Sequence, residues 1–343
     1  PNLAALCLIA ACAQRAPVSG PPATQEKEAV FTAYTPLSGN AEIARRTLPP
    51  LTFRRGQQAL AAQGKELGGQ PVDLMHERFS LYVPAGAPPA KGYGLLVFVS
   101  PGTDAPQPHR WRPPLDRHGL IFVSAARSGN EASILERRLP LAVLAYENVR
   151  ARYRLDPERV YVGGLSGGSR VAQIAALAYP DVFRGALLNA GSEPIGGERG
   201  VYLPPADLFH RFQHSRLVYV TGSEDEGNLE DDQISQASMK EWCVFDFDVQ
   251  VAARRGHEAL DATSLDHALD ALDQRPAVDA GRLAECNARI ERELGAKLTD
   301  AEAAIARGDR DGAGARLKEI DGRYGGLAAP AILGLDEKLA ARQ

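Results

Sequence analysis

The stretch from Arg159 to Ala178, RVYVGGLSGGSRVAQIAALA, constrains the fold more than any other part of the chain. An apolar strand pattern runs straight into Gly164-Leu165-Ser166-Gly167-Gly168, and a helical pattern follows at once. The spacing G-x-S-x-G says little alone, because glycine and serine are common. Between a strand and a helix it describes a sharp turn whose central serine holds strained backbone dihedrals. Residues flanking such a turn must be small for strand and helix to approach, and Gly164 and Gly168 meet that need. The turn lifts the Ser166 hydroxyl clear of the sheet. It also sets Ser166 at a helix N-terminus, where backbone N–H groups and the helix dipole favour an anion. A glycine-rich nucleotide loop is the other use of such a segment, but no Lys-Ser/Thr ending follows and G-x-G-x-x-G does not fit.

The surrounding pattern agrees with a sheet that supports this turn. Gly94 to Val99 and Gly119 to Ser124 are continuous apolar runs, as strands covered on both faces require. Strand signals recur at Glu77 to Val83, Gly185 to Leu188, Arg216 to Val220 and Val244 to Val251, with helical stretches between most of them. A helix is expected over Thr52 to Leu67, with Thr52 as its N-cap. Strands alternating with helices predict a mostly parallel sheet with helices on both faces. From residue 282 to 343 only helical signals appear: Leu283 to Leu298, Thr299 to Arg307, Asp311 to Tyr324 and Ala328 to Ala341.

The start of the chain differs in character. Pro1 to Ala11 is apolar, and about ten such residues are too few to span a bilayer but suit the core of a signal peptide. Ile9-Ala10-Ala11-Cys12 resembles a bacterial lipobox, which makes Cys12 the expected lipidation site. With no initiator Met and no basic leader, the start is expected to be truncated. Ala16 to Thr24 is rich in Pro, Gly and Ser and is expected to be a tether. The predicted organisation is a signal segment at 1–12, a flexible tether at 13–30, a catalytic domain at 31–275 and a helical appendage at 282–343. Cys243 and Cys286 form an even pair; a disulfide and two buried free thiols are both open.

A nucleophilic serine needs a base, and the base needs an orienting carboxylate. With an elbow serine the order along the chain is Ser, acid, His. Of the downstream histidines, His257 stands in a short loop after a strand, where a base reaching across the strand ends should lie. His267 falls in the helical pattern SLDHALDAL, and His210 and His214 precede a strand. The acid is expected in the turn after Arg216 to Val220, where Glu224, Asp225, Glu226 and Glu230 compete. Asp225 fits best, because a Gly-x-x-Asp turn aims its carboxylate inward while the glutamates face water. Two N–H donors must hold the oxyanion. Gly167 supplies one, and Ser100-Pro101-Gly102-Thr103 the other; Pro101 has no N–H, so Thr103 is preferred and Gly102 is second.

The segments ERFSLYVP, LLVFVSPG, LDPERVYVGGLSGGSRVA, YPDVFRG, TGSED and GHEALD resemble the α/β-hydrolase branch that contains polyhydroxybutyrate depolymerases and feruloyl or acetylxylan esterases. The resemblance spans residues 77 to 272. It implies an α/β-hydrolase fold and ester hydrolysis through an acyl-enzyme, with Ser166, Asp225 and His257 as the triad. Two departures stand out. Ser100-Pro101-Gly102 replaces a frequent His-Gly, and no aromatic-proline pair follows Gly256-His257.

The expected protein is therefore a serine esterase acting on a small or polymeric ester, with no cofactor and no metal. A peptidase or amidase using the same triad is the alternative, and a non-catalytic binding lipoprotein on a degenerate hydrolase fold is another. The net charge of -4 carries no basic footprint for nucleic acid. Membrane contact is expected only through the lipid anchor, and the location is the bacterial cell envelope, periplasm-facing or at the surface, or outside the cell.

Overall fold

The computed structural model describes residues 21–197, 200–274 and 276–341. Cys12 and the expected signal segment lie outside them. Eight strands form one sheet: β1 Thr24–Ala29, β2 Phe79–Val83, β3 Tyr93–Val99, β4 Leu120–Ala125, β5 Leu155–Leu165, β6 Gly185–Asn189, β7 Arg216–Gly222 and β8 Phe247–Ala252. Their order is β1-β2-β4-β3-β5-β6-β7-β8. Only β1 and β2 run antiparallel to their neighbours; β4 through β8 pair parallel. This mostly parallel sheet is the expected α/β-hydrolase fold. β1 corrects the predicted tether, because residues 24–29 pair with β2. Its side chains from Thr24 to Glu28 are polar and largely exposed, and only Ala29 at its end is buried.

The helices are α1 Asn40–Thr47, α2 Pro50–Ala61, α3 Arg112–His118, α4 Leu139–Arg152, α5 Gly167–Ala178, α6 Ala206–Phe212, α7 Glu226–Glu241, α8 Ala262–Asp273, α9 Ala280–Ala306, α10 Arg310–Tyr324 and α11 Ala329–Ala340. The side-chain alternation of the strands sorts the core into two layers. Leu96, Phe98, Leu120, Phe122 and Val218 face α3 and α8, packing on Trp111, Leu115, Leu265 and Leu269. Leu95, Val97, Val99, Val123, Val162 and Leu188 face α4 and α5 on the other side. Strands β3, β4, β6 and β7 thus bury both faces, which explains the uninterrupted apolar runs, while β1 and β8 at the two edges of the sheet keep exposed positions.

Two helical boundaries differ from expectation. α2 begins at Pro50 with Pro49 as its N-cap, so Thr52 lies inside the helix. A proline suits this first turn because its missing N–H had no acceptor there. The expected break before Thr299 does not occur. Thr299 Oγ1 instead donates back to the Gly295 carbonyl at 3.0 Å, and α9 is continuous. The C-terminal helices also pack closely on the rest: Ile290, Ile305, Leu317, Tyr324 and Ile332 join the core layer that contains α4 and α5. Leu51 N donates to Asp321 Oδ1 at 3.0 Å, Arg54 pairs with Asp336, and Cys243 is bridged to Cys286. Of the two cysteine states left open by the sequence, the structure has the disulfide.

Candidate active site

Strand β5 delivers the chain to Ser166, which has φ 57° and ψ -125°. A side chain other than glycine in this region is strained, and such strain persists only where the surroundings enforce it. Two close approaches do so. A Cβ at position 164 would lie 2.2 Å from the Gly168 carbonyl carbon, and one at 168 would lie 2.0 Å from the Val99 carbonyl oxygen. Both glycines are therefore obligatory, and the second clamps the start of α5 onto the end of β3. Ser166 N donates to the Asn189 carbonyl at 2.9 Å, fixing the turn to β6. Ser166 O accepts from Ser169 N at 2.9 Å and begins the helix. Gly167, as the first residue of α5, has an N–H without an intrahelical acceptor.

The sheet brings two further predicted residues to the same edge, because β5, β7 and β8 run parallel and their following loops share one end. Asp225 is the N-cap of α7, one turn after β7 ends. His257 lies in the loop between β8 and α8. Their contact is direct, with His257 Nδ1 2.7 Å from Asp225 Oδ2. The carboxylate side chain is 10% exposed and the imidazole 46%, so the acid is sheltered and the ring is open to solvent. Glu224, Glu226 and Glu230 are exposed, as are His210, His214 and His267. None of these competitors hydrogen-bonds or ion-pairs with Asp225 or His257 among the described residues. Ser166 Oγ has no hydrogen-bond partner among the described residues. Such bonds commonly tighten only when substrate is present.

One partner of this pair was not foreseen. Asn228 Nδ2 donates to Asp225 Oδ1 at 2.9 Å and Oδ2 at 3.0 Å, and lies 3.1 Å from His257 Nδ1. Burial alone would raise the Asp225 carboxyl, but the Asn228 amide and His257 hold it below its ordinary value. With the carboxylate ionised, Nδ1–H is the donor to Asp225 and Nε2 is left as the basic nitrogen. Helical spacing was the available signal, since Asn228 follows Asp225 by one turn on the same face of α7. One turn further, buried Asp232 accepts from Ser192 Oγ at 2.5 Å and Thr221 Oγ1 at 2.6 Å. It ties the loop after β6 to the end of β7.

The loop expected to complete an oxyanion site with Gly167 is the one after β3. Gly102 N donates to Ser100 Oγ at 3.1 Å, so that N–H is already used. Thr103 O accepts from Arg127 N at 2.7 Å and Thr103 Oγ1 contacts Glu131 at 3.3 Å, while its N–H has no acceptor among the described residues. No group of three or more His, Cys, Asp or Glu residues among the described residues is placed to hold a metal ion. Among them also, no helix is long and apolar enough to cross a membrane.

Residues 110–221, which include the elbow, match the family model for esterase PHB depolymerase. A 45-residue segment is 49% identical to poly(3-hydroxyalkanoate) depolymerase C of Paucimonas lemoignei, covering 13% of this chain and 11% of that protein. The chain thus matches about a tenth of the length of this curated relative. Among solved structures, an esterase from Thermogutta terrifontis aligns at 16% identity and TM-score 0.43, over 60% of this chain and 88% of that one. An acylaminoacyl peptidase aligns at 12% identity and TM-score 0.44, over 61% of this chain and 42% of that one. The family match and the depolymerase segment bear out the resemblance to esterases of the depolymerase branch that the short motifs carry.

Proposed function

We propose that this protein is a serine hydrolase that cleaves a carboxylic ester by acyl transfer to water, with Ser166, His257 and Asp225 as its triad. The observation that carries the reading is the strained φ of 57° at Ser166, at the start of α5 and on the sheet edge that also carries the His257–Asp225 pair. His257 Nε2 takes the proton as Ser166 Oγ attacks the ester carbonyl. The Gly167 and Thr103 N–H groups hold the resulting oxyanion. The tetrahedral intermediate expels the alcohol, which receives that proton from the imidazolium. Water, deprotonated by the same nitrogen, then releases the acid and restores Ser166. Asp225 keeps the ring in the required tautomer and offsets the imidazolium charge. Every step uses protein groups and water, and no cofactor enters.

The matched family and the name of the curated relative support a hydroxyalkanoate polyester as the first substrate to test. The proposed setting is the cell envelope, with Cys12 as a lipid anchor. A disulfide between Cys243 and Cys286 suits an oxidising compartment of this kind. The purified protein should be offered p-nitrophenyl esters, a poly(3-hydroxyalkanoate) film, acetylated xylan and peptide anilides side by side. Ester turnover at least tenfold above anilide turnover is expected. Faster anilide cleavage would make it a peptidase, and no turnover of any substrate would favour a binding role.

A further inference from the structure

The loop after β4 places an amide that the oxyanion side lacks elsewhere. Asn130 N donates to the Pro101 carbonyl at 2.9 Å, which fastens this loop to the one carrying Thr103. Its side chain lies over Gly167. A Cβ at position 167 would meet Asn130 Oδ1 at 2.3 Å, Cγ at 2.8 Å and Nδ2 at 3.1 Å. The carboxamide is oriented by Arg138, whose Nη2 donates to Asn130 Oδ1 at 3.3 Å and to the Ser100 carbonyl at 3.2 Å. Arg138 Nε donates to the Ser128 carbonyl at 2.9 Å. With Oδ1 taken by the guanidinium, Nδ2 is the free edge of the amide, and it donates to no acceptor among the described residues.

We propose that Asn130 is a catalytic residue, a side-chain donor that joins the Gly167 and Thr103 N–H groups around the oxyanion, and that Arg138 is its positioning residue. The proposal rests on the acyl-transfer reading above. It accounts for how this chain manages with a first oxyanion loop that is short of donors: Pro101 has no N–H and that of Gly102 is spent on Ser100. Arg138 is only 3% exposed and its neighbours here are neutral acceptors. No carboxylate touches it and Glu131 attracts it only from beyond contact, so its charge adds to the field in which negative charge develops on the carbonyl oxygen. Burial pushes its guanidinium below the usual arginine range, as a cation held without a contacting carboxylate should be.

The test compares wild type, Asn130→Ala and Asn130→Asp on one p-nitrophenyl ester, with kcat, KM, Tm and the pH profile recorded for each. Removing one oxyanion donor costs about 100-fold in kcat or more. Asn130→Ala is expected to show that loss with KM and Tm nearly unchanged, since the side chain is exposed. Asn130→Asp keeps the shape but puts a carboxylate beside the oxyanion. Its activity, taken as a ratio to wild type at each pH because protonation of the base lowers both, should be lowest above the carboxyl pKa and rise as the pH falls and the acid gains an O–H donor, a dependence that a purely structural role would not produce. Asn130→Ala with kcat within tenfold of wild type, or with its loss confined to KM, overturns the proposal. Should Asn130→Ala not fold, an Asn130→Asp pH profile parallel to wild type overturns it instead. Wild type that neither turns over esters nor reacts with a fluorophosphonate defeats the parent reading, and so the two failures are told apart.

Discussion

His257 Nδ1 and Asp225 Oδ2 lie 2.7 Å apart across 32 residues of chain, joined from loops that follow neighbouring parallel strands. That contact is what a carboxylate must make to fix the tautomer of a catalytic imidazole. Asp225→Asn keeps the size of the side chain but presents an amide, which favours the wrong tautomer. kcat should fall by about 10⁴-fold with the fold intact. Glu224→Gln and Glu226→Gln, on exposed side chains of the same turn, should stay near wild type. Steady-state kinetics on all three variants checks this; equal losses would assign the loop a general role.

The disulfide between Cys243 and Cys286 closes a loop of 43 residues and fastens α9 to the segment after α7. In the loop-entropy account a bridge of this length contributes about 4 kcal/mol. Reduction, or a double Cys→Ser variant, should lower Tm clearly while leaving kcat at 25 °C nearly unchanged, because the bridge is remote from the elbow. Thermal melts with and without reductant measure it.

Asp273 dominates the acid sensitivity expected of the fold. Burial opposes its ionisation, but His118 at 3.1 Å, Arg159 at 2.7 Å and Tyr161 at 2.8 Å more than offset that, and its carboxyl is held far below the ordinary value. A folded pKa below the unfolded one means that the native state binds this proton less readily. The stabilisation is complete above about pH 3.9 and is lost as the pH falls through the folded value. Asp273→Asn should cost about 3 kcal/mol at pH 7, because Arg159 loses its partner. It should also flatten the dependence of Tm on pH below 4. Scanning calorimetry at pH 7, 4 and 3 on both proteins reads both effects.

Anchorage is a separate matter, resting on Ile9-Ala10-Ala11-Cys12 and the Pro/Gly/Ser-rich stretch behind it. Acyl chains attached there would each contribute about 0.8 kcal/mol per buried CH₂, enough together for stable attachment. Expressed from its complete gene, the protein should enter the detergent phase and incorporate labelled palmitate, and Cys12→Ala should abolish both. Label that persists in Cys12→Ala would refute the lipoprotein reading and leave the hydrolase reading untouched.

The parts of the site legible in the sequence were those with a local signature. Gly164, Ser166 and Gly168 announce themselves because the turn admits only small neighbours. Asp225 stood out among four acids through the geometry of one turn, and its glutamate neighbours do face water. Asn228 and Asn130 were missed for different reasons. Asn228 is one helical turn from Asp225, a relation that spacing contains once α7 is known to begin there. Asn130 meets Gly167 only because the sheet sets the loops after β3, β4 and β5 side by side, and no local pattern records that. β1 was read as tether because its charged outer face hides the pairing with β2. The sequence divides the single α9 at Thr299, although in the structure Thr299 returns its hydroxyl to the helix.

The most direct test of the account is covalent labelling by a fluorophosphonate, with the modified residue located by mass spectrometry and the labelling rate measured in wild type, Ser166→Ala, His257→Ala and His267→Ala. The account predicts a single adduct on Ser166, none in Ser166→Ala, a rate lowered by orders of magnitude in His257→Ala and an unchanged rate in His267→Ala. An adduct on another residue, or a His257→Ala rate equal to wild type, would contradict it.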